Sequence, residues 1–145
     1  MRGIGRSGDT GPMKWRLGQM VGGLCLAVVA VIAPWVTYQI NPGRHVFALH
    51  ADSFAPPLIA FGIVAAVCGG LGLTERAARG AAMISAIVGF AALPVIVVAA
   101  ATRMSHANHL TLLPGGTTAY GPGAAAALLA AALIAVSASL QLQVK

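Results

Sequence analysis

Four long apolar stretches alternate with short polar ones along the chain, over residues 17–40, 56–73, 81–101 and 122–144. A hydrocarbon core about 30 Å thick is crossed by about 20 helical residues, so each stretch predicts one transmembrane helix. Trp15 stands where the first stretch begins, at headgroup level, and Trp35 and Tyr38 stand at its far end as an outer aromatic belt. Pro34 is expected to kink the last turns of that helix. Pro56 and Pro57 open the second stretch, where the first N–H groups of a helix lack partners anyway. Pro94 interrupts the third, and the fourth is very rich in alanine. The polar intervals are a basic lead at 1–16, outer loops at 41–55 and 102–121, and a tight link at 74–80. Asn41-Pro42-Gly43, Pro114-Gly115-Gly116 and Gly121-Pro122-Gly123 mark turns in the two loops. The expected fold is an all-α four-transmembrane-helix bundle, with residues 1–145 forming a single integral membrane domain. The first stretch reads as a retained helix: it is long, and Pro34 blocks signal cleavage after Ala33.

Composition sharpens that reading. The chain is 58% hydrophobic and 8% charged, against about 45–50% and about 25% in soluble domains. Too few polar side chains remain to cover a surface facing water, so the lipid bilayer is the first partner. The formal charge of +6 comes from nine Lys and Arg against three acids. These basic residues flank apolar runs and do not form a patch with interleaved aromatics, which excludes nucleic-acid binding. Arg2, Arg6, Lys14, Arg16, Arg76, Arg79 and Lys145 fall on one side of the predicted membrane, and only Arg44 and Arg103 on the other. Basic residues concentrate on the cytoplasmic side. The expected topology is therefore N-in/C-in, and the arginine- and alanine-rich style suggests the inner (cytoplasmic) membrane of a bacterium. Each half also carries a late proline (Pro34, Pro94), an arginine (Arg44, Arg103), two histidines, and a proline near the next helix start (Pro56, Pro122). A parallel two-plus-two helical-hairpin repeat is the expectation.

Helices in lipid associate through close backbone approach, which small residues permit. Such residues recur at four-residue spacing, on one face of each helix: Gly18 and Gly22; Gly62, Ala66 and Gly70; Ala81, Ser85 and Gly89; Ala127, Ala131, Ala135 and Ser139. These faces are expected to turn inward, with Leu, Ile and Val facing lipid or a partner subunit. No helix carries an ionisable residue in its central part, which disfavours ion-coupled carriers and a haem held between helices. Cys25 and Cys68 lie in apolar runs and form no C-x-x-C, so thiol redox chemistry is disfavoured.

The remaining chemistry lies in the outer segments. His45, His50 and Asp52 fall in one, and His106 and His109, at i, i+3 spacing, in the other. Imidazoles from both, with Asp52 and Met104 as further donors, are the candidate metal ligands for zinc or copper. A histidine base oriented by Asp52 with Ser53 or Ser105 as nucleophile is a weaker alternative, since nothing in the spacing demands it. No catalytic motif rises above background. The chain is expected to be non-enzymatic: an accessory subunit or assembly factor that packs against other membrane subunits or self-associates. Two alternatives are an outer-face metal-binding protein and a pore or carrier for a neutral or lipid-like solute.

Overall fold

A computed structural model describes residues 11–41, 45–71, 75–111 and 115–143. Arg2, Arg6, Arg44, Pro42, Gly43, Pro114 and Lys145, which enter the charge count and turn assignments above, lie outside the described residues, as do the side chains of Glu75 and Arg76. The element order is α1 (Gly11–Ile32), β1 (Val36–Gln39), β2 (Phe47–Leu49), a short 3-10 turn (Asp52–Phe54), α2 (Ala55–Leu71), α3 (Glu75–Leu110), β3 (Thr117–Tyr120) and α4 (Pro122–Gln143). All four α-helices are long and apolar enough to cross a membrane. Helix accounts for 80% of the structure, so the chain is a multi-pass helical membrane protein with one addition that the all-α expectation lacked, a small sheet.

The first helix stops earlier than its apolar run. The last bond of α1 is donated by the N–H of Ala33 to the carbonyl of Val29 (3.3 Å). Pro34 has no N–H to continue the ladder and pushes the residue before it toward extended backbone. The next residues, Val-Thr-Tyr-Gln, are β-branched or aromatic in the main and alternate along β1. The expected helix over 17–40 is thus a helix to Ile32 followed by a strand, and Trp35 and Tyr38 belong to no helical belt. The third helix errs the other way. Its 36 residues extend about 54 Å at 1.5 Å per residue, well beyond a hydrocarbon core about 30 Å thick. Residues 102–110, expected in a loop, are therefore the projecting turns of α3, and residues 75–80 of the expected link are its first turns. Pro94 lies inside this helix, whereas Pro34 follows the end of α1. The two halves differ accordingly: one places two strands between its helices, the other a helical extension and one strand.

The helices form a ring, α1 packing on α2 and α4, and α3 on α2 and α4. Small residues set the spacing. A Cβ at Gly62 would lie 2.5 Å from the carbonyl oxygen of Gly23 and 2.9 Å from the backbone nitrogen of Ala27. One at Gly22 would lie 2.8 Å from Ile134, and one at Gly89 would lie 2.7 Å from the nitrogen of Ala135. Ala81, Ser85, Ala127, Ala131 and Ala135 are buried as their spacing implied. The second helix departs by one position: Gly69 packs against Arg16 and Met20, while a Cβ at Gly70 would meet nothing. Gly23 was not part of any predicted stripe, yet it makes the closest α1–α2 approach. Val21, Leu24, Val28, Ile87, Leu129 and Val136 face outward. At the end of the bundle where α1 begins and α4 ends, the Gln19 amide donates to Gln141 Oε1 (2.6 Å), joining α1 to α4. Gln19 itself is buried. Cys25 and Cys68 are both free.

Candidate functional site

The opposite end of the bundle carries the sheet, in the order β2-β1-β3 and antiparallel throughout. Val36 pairs with Leu49 and Tyr120, Thr37 with Ala48 and Ala119, and Tyr38 with Phe47 and Thr118. Since side chains alternate along strands, Val36, Tyr38, Phe47, Leu49, Thr118 and Tyr120 share one face. The Tyr38 and Phe47 rings stack across the strands with centroids 5.3 Å apart. The same face meets the projecting turns of α3, where the Thr118 hydroxyl donates to Asn108 Oδ1 (2.8 Å).

Two junctions lock this head to the bundle. At the first, the N–H of Trp35 donates to the carbonyl of Leu49 (2.8 Å). The N–H groups of Gly121 and Gly123 donate to the carbonyls of Trp35 and Pro34 (2.8 and 2.9 Å). Residues 34–35 thereby bind the exit of α1, strand β2 and the start of α4 to one another. The Trp35 side chain is fully buried, and a Cβ at Gly123 would come within 2.9 Å of its ring. At the second junction, Arg103 on α3 pairs through Nη1 with Asp52 Oδ2 (3.1 Å) and donates through Nη2 to the carbonyl of Ala51 (3.1 Å). Asp52 takes a positive φ of 45°, a conformation that Asp and Asn tolerate better than most residues.

The two partners of that ion pair are unequal. The Arg103 side chain is 15% exposed and that of Asp52 63%. Removing the exposed carboxylate in Asp52→Asn is expected to cost less than about 1 kcal/mol, as for surface pairs. Arg103→Ala also strips a donor from the carbonyl of buried Ala51, and is expected to cost about 1–3 kcal/mol. Unfolding titrations of the two variants in mixed micelles should show that order; the reverse order would mean the ion pair, not the carbonyl bond, holds the junction.

The predicted metal ligands fall on different elements of the sheet-bearing end. His45 is exposed ahead of β2, and His50 is half-buried directly after it. Asp52 is engaged by Arg103. His106 and His109 lie on the projecting turns of α3 and share a shallow, open cleft with Ala101, Thr102 and Ser105, all on this one helix. Among the described residues, no three His, Cys, Asp or Glu side chains come together as a group able to hold a metal. The i, i+3 spacing of His106 and His109 does aim both into one cleft. No hydrogen bond among the described residues joins Ser105 to either imidazole.

Next to this cleft lies an apolar groove of about 530 Å³ between α3 and α4, bordered by Val97, Ala101, Tyr120, Ala125 and Leu128 among others. Sequence reasoning missed it because the groove needs α3 and α4 side by side and β3 above them. The head was legible in part: Val36-Thr37-Tyr38 and Thr117-Thr118-Ala119-Tyr120 have the composition of strands, but each is too short to distinguish from the end of an apolar helix. The Arg103–Asp52 junction had a simpler signal, Asp52 being the single acid in the two expected outer segments.

Fold and site define a class: a multi-pass membrane protein whose four-helix bundle is capped at one end by a three-stranded sheet. Searches against protein-family models and against curated proteins find no match for the chain.

Proposed function

We propose that the chain is a non-catalytic accessory subunit or assembly factor of a larger membrane complex, acting through its sheet-bearing head. The observation that carries this reading is the head itself. Tied to the bundle at Trp35 and Arg103, it presents Val46 and Phe47 to the surroundings, 64% and 46% exposed. Its outer strands, β2 and β3, each have one edge with no strand partner among the described residues. Unpaired strand edges beside exposed apolar side chains are a ready template for a partner's backbone. The small-residue helix faces, by contrast, are largely used within the bundle. Charge supports an outward-facing head. Lys14, Arg16 and Arg79 belong to the end where α1 and α3 begin and Arg103 to the sheet end, in line with the seven-to-two asymmetry of the sequence. We place both termini in the cytoplasm and the protein in a bacterial cytoplasmic membrane.

Purification in mild detergent tests the reading. A stoichiometric membrane partner, or a defined self-assembly, is expected to accompany the tagged chain. That partner should be lost in Phe47→Asp and retained in Val136→Ala, which changes a lipid-facing helix position. Recovery of the wild-type chain as a lone monomer from gently solubilised membranes would overturn it. A reporter fused after Lys145 should be active only inside the cell.

A further inference from the structure

We infer that the groove between α3 and α4 is a phospholipid site, with an acyl chain in the groove and the phosphate held in the cleft of His106 and His109. The two concavities meet at Ala101, which borders both. Together they wind part of the way around α3, each step of four residues turning about 40°. Val97, Ala101, Ser105 and His109 follow one another at four-residue spacing, and Thr102 and His106 lie beside them. Residues four apart share a helix face. The chemistry changes along that line from wholly apolar, at Val97 and Ala101, to hydroxyl and imidazole, at Thr102, Ser105, His106 and His109. The change falls where α3 leaves the hydrocarbon core and the sheet begins. A volume of about 530 Å³ lies within the range of small-molecule sites, about 300–1,000 Å³. Small side chains at Ala101 and Ala125 leave the groove open, and Tyr120, 61% exposed, stands at its mouth as an interfacial aromatic does.

The occupant follows from this gradient. The groove faces the bilayer, so an apolar chain is always at hand to enter it. A bare hydrocarbon or a partner helix would not use the polar cleft that adjoins the groove at Ala101. A phosphate would, because the imidazole N–H groups and the Ser105 hydroxyl donate to its oxygens, and such charge-assisted bonds are stronger than neutral ones; the Thr102 hydroxyl already donates to the carbonyl of Val98 (2.8 Å). A phospholipid satisfies both halves at once. This inference does not rest on the accessory-subunit reading, since it concerns the chain alone in lipid.

The test uses the purified full chain in phosphatidylcholine nanodiscs doped with one of two probes. One is phosphatidylcholine with a photoactivatable acyl chain, the other diacylglycerol with the same chain and no phosphate. The phospholipid probe is expected to label the segments around residues 97–101 and 120–128 in preference to the rest of the helices, and about tenfold more than the diacylglycerol probe. The double variant His106→Ala/His109→Ala should bring phospholipid labelling down about tenfold, to the diacylglycerol level, as expected for lost hydrogen bonds to a charged group. Ala125→Trp, and independently Val97→Trp, should plug the groove and abolish preferential labelling by both probes. Ala60→Trp, at an exposed position of α2, should leave it unchanged. Equal labelling in the plugged variants and Ala60→Trp would mean bulk lipid only and would overturn the inference. So would labelling indifferent to the histidines, or a groove shielded from both probes by a second protein chain.

Discussion

Gly62→Val is expected to be among the most damaging substitutions at a helix–helix contact of the bundle. A Cβ at this position meets the Gly23 carbonyl and the Ala27 backbone nitrogen, at 2.5 and 2.9 Å. Neither obstacle is a side chain that can rotate away, so α1 and α2 must separate along their whole contact. Overpacking ordinarily costs about 1–3 kcal/mol and occasionally more; a clash with backbone belongs at the upper end. The reciprocal change Gly23→Val is expected to behave alike, because a Cβ there meets Gly62 and Ala66 backbone atoms. Gly70→Val is the control: it lies on the same helix, two turns on, where an added Cβ meets nothing. Detergent-denaturation midpoints should fall sharply for Gly62→Val and Gly23→Val and scarcely move for Gly70→Val. Similar midpoints for all three would show that the α1–α2 approach is not the determinant of packing.

Trp35→Ala is expected to loosen the head while leaving the spans in the membrane. The side chain is wholly buried, and large aromatic-to-alanine changes in cores cost about 3–5 kcal/mol. The loss falls where three elements converge, since the backbone of Pro34 and Trp35 bonds to β2 and to the start of α4. Hydrogen exchange should therefore quicken at Gly121, Gly123 and Trp35 together. Trp35→Phe should retain most of the stability. The indole Nε1 makes no hydrogen bond among the described residues, so the ring's contribution is packing, which phenylalanine largely restores. A Phe variant as unstable as the Ala variant would mean that the indole nitrogen has a partner after all. Exchange that accelerates only at Trp35 would mean that the side chain does not bind the three elements into one unit.

Much of this architecture is legible in the chain alone, and for a physical reason. Apolar runs of span length have no stable place in water, so the number and order of the spans is a property of composition read in windows. The small-residue stripes are legible for a similar reason: periodicity on a helix converts spacing into a face, and Gly22, Ala81, Ser85, Ala127 and Ala131 all lie inward as that rule requires. What the rule cannot supply is which glycine meets which. Gly23 and Gly69 make close approaches while Gly70 makes none, because the rotation of a helix about its axis depends on its neighbours.

The sheet needed the tertiary structure. Val36-Thr37-Tyr38-Gln39 pairs with partners at 47–49 and 117–120, and strands of three or four residues have no stability until those partners arrive. The same dependence moved Trp35 from an expected lipid belt into the core and turned residues 102–110 from a loop into helix. It also drew Asp52 to Arg103 and left His106 and His109 beside an apolar groove. Hydrophobicity is a local property and reads out locally; pairing and concavity exist only between segments, and so only the folded chain decides them.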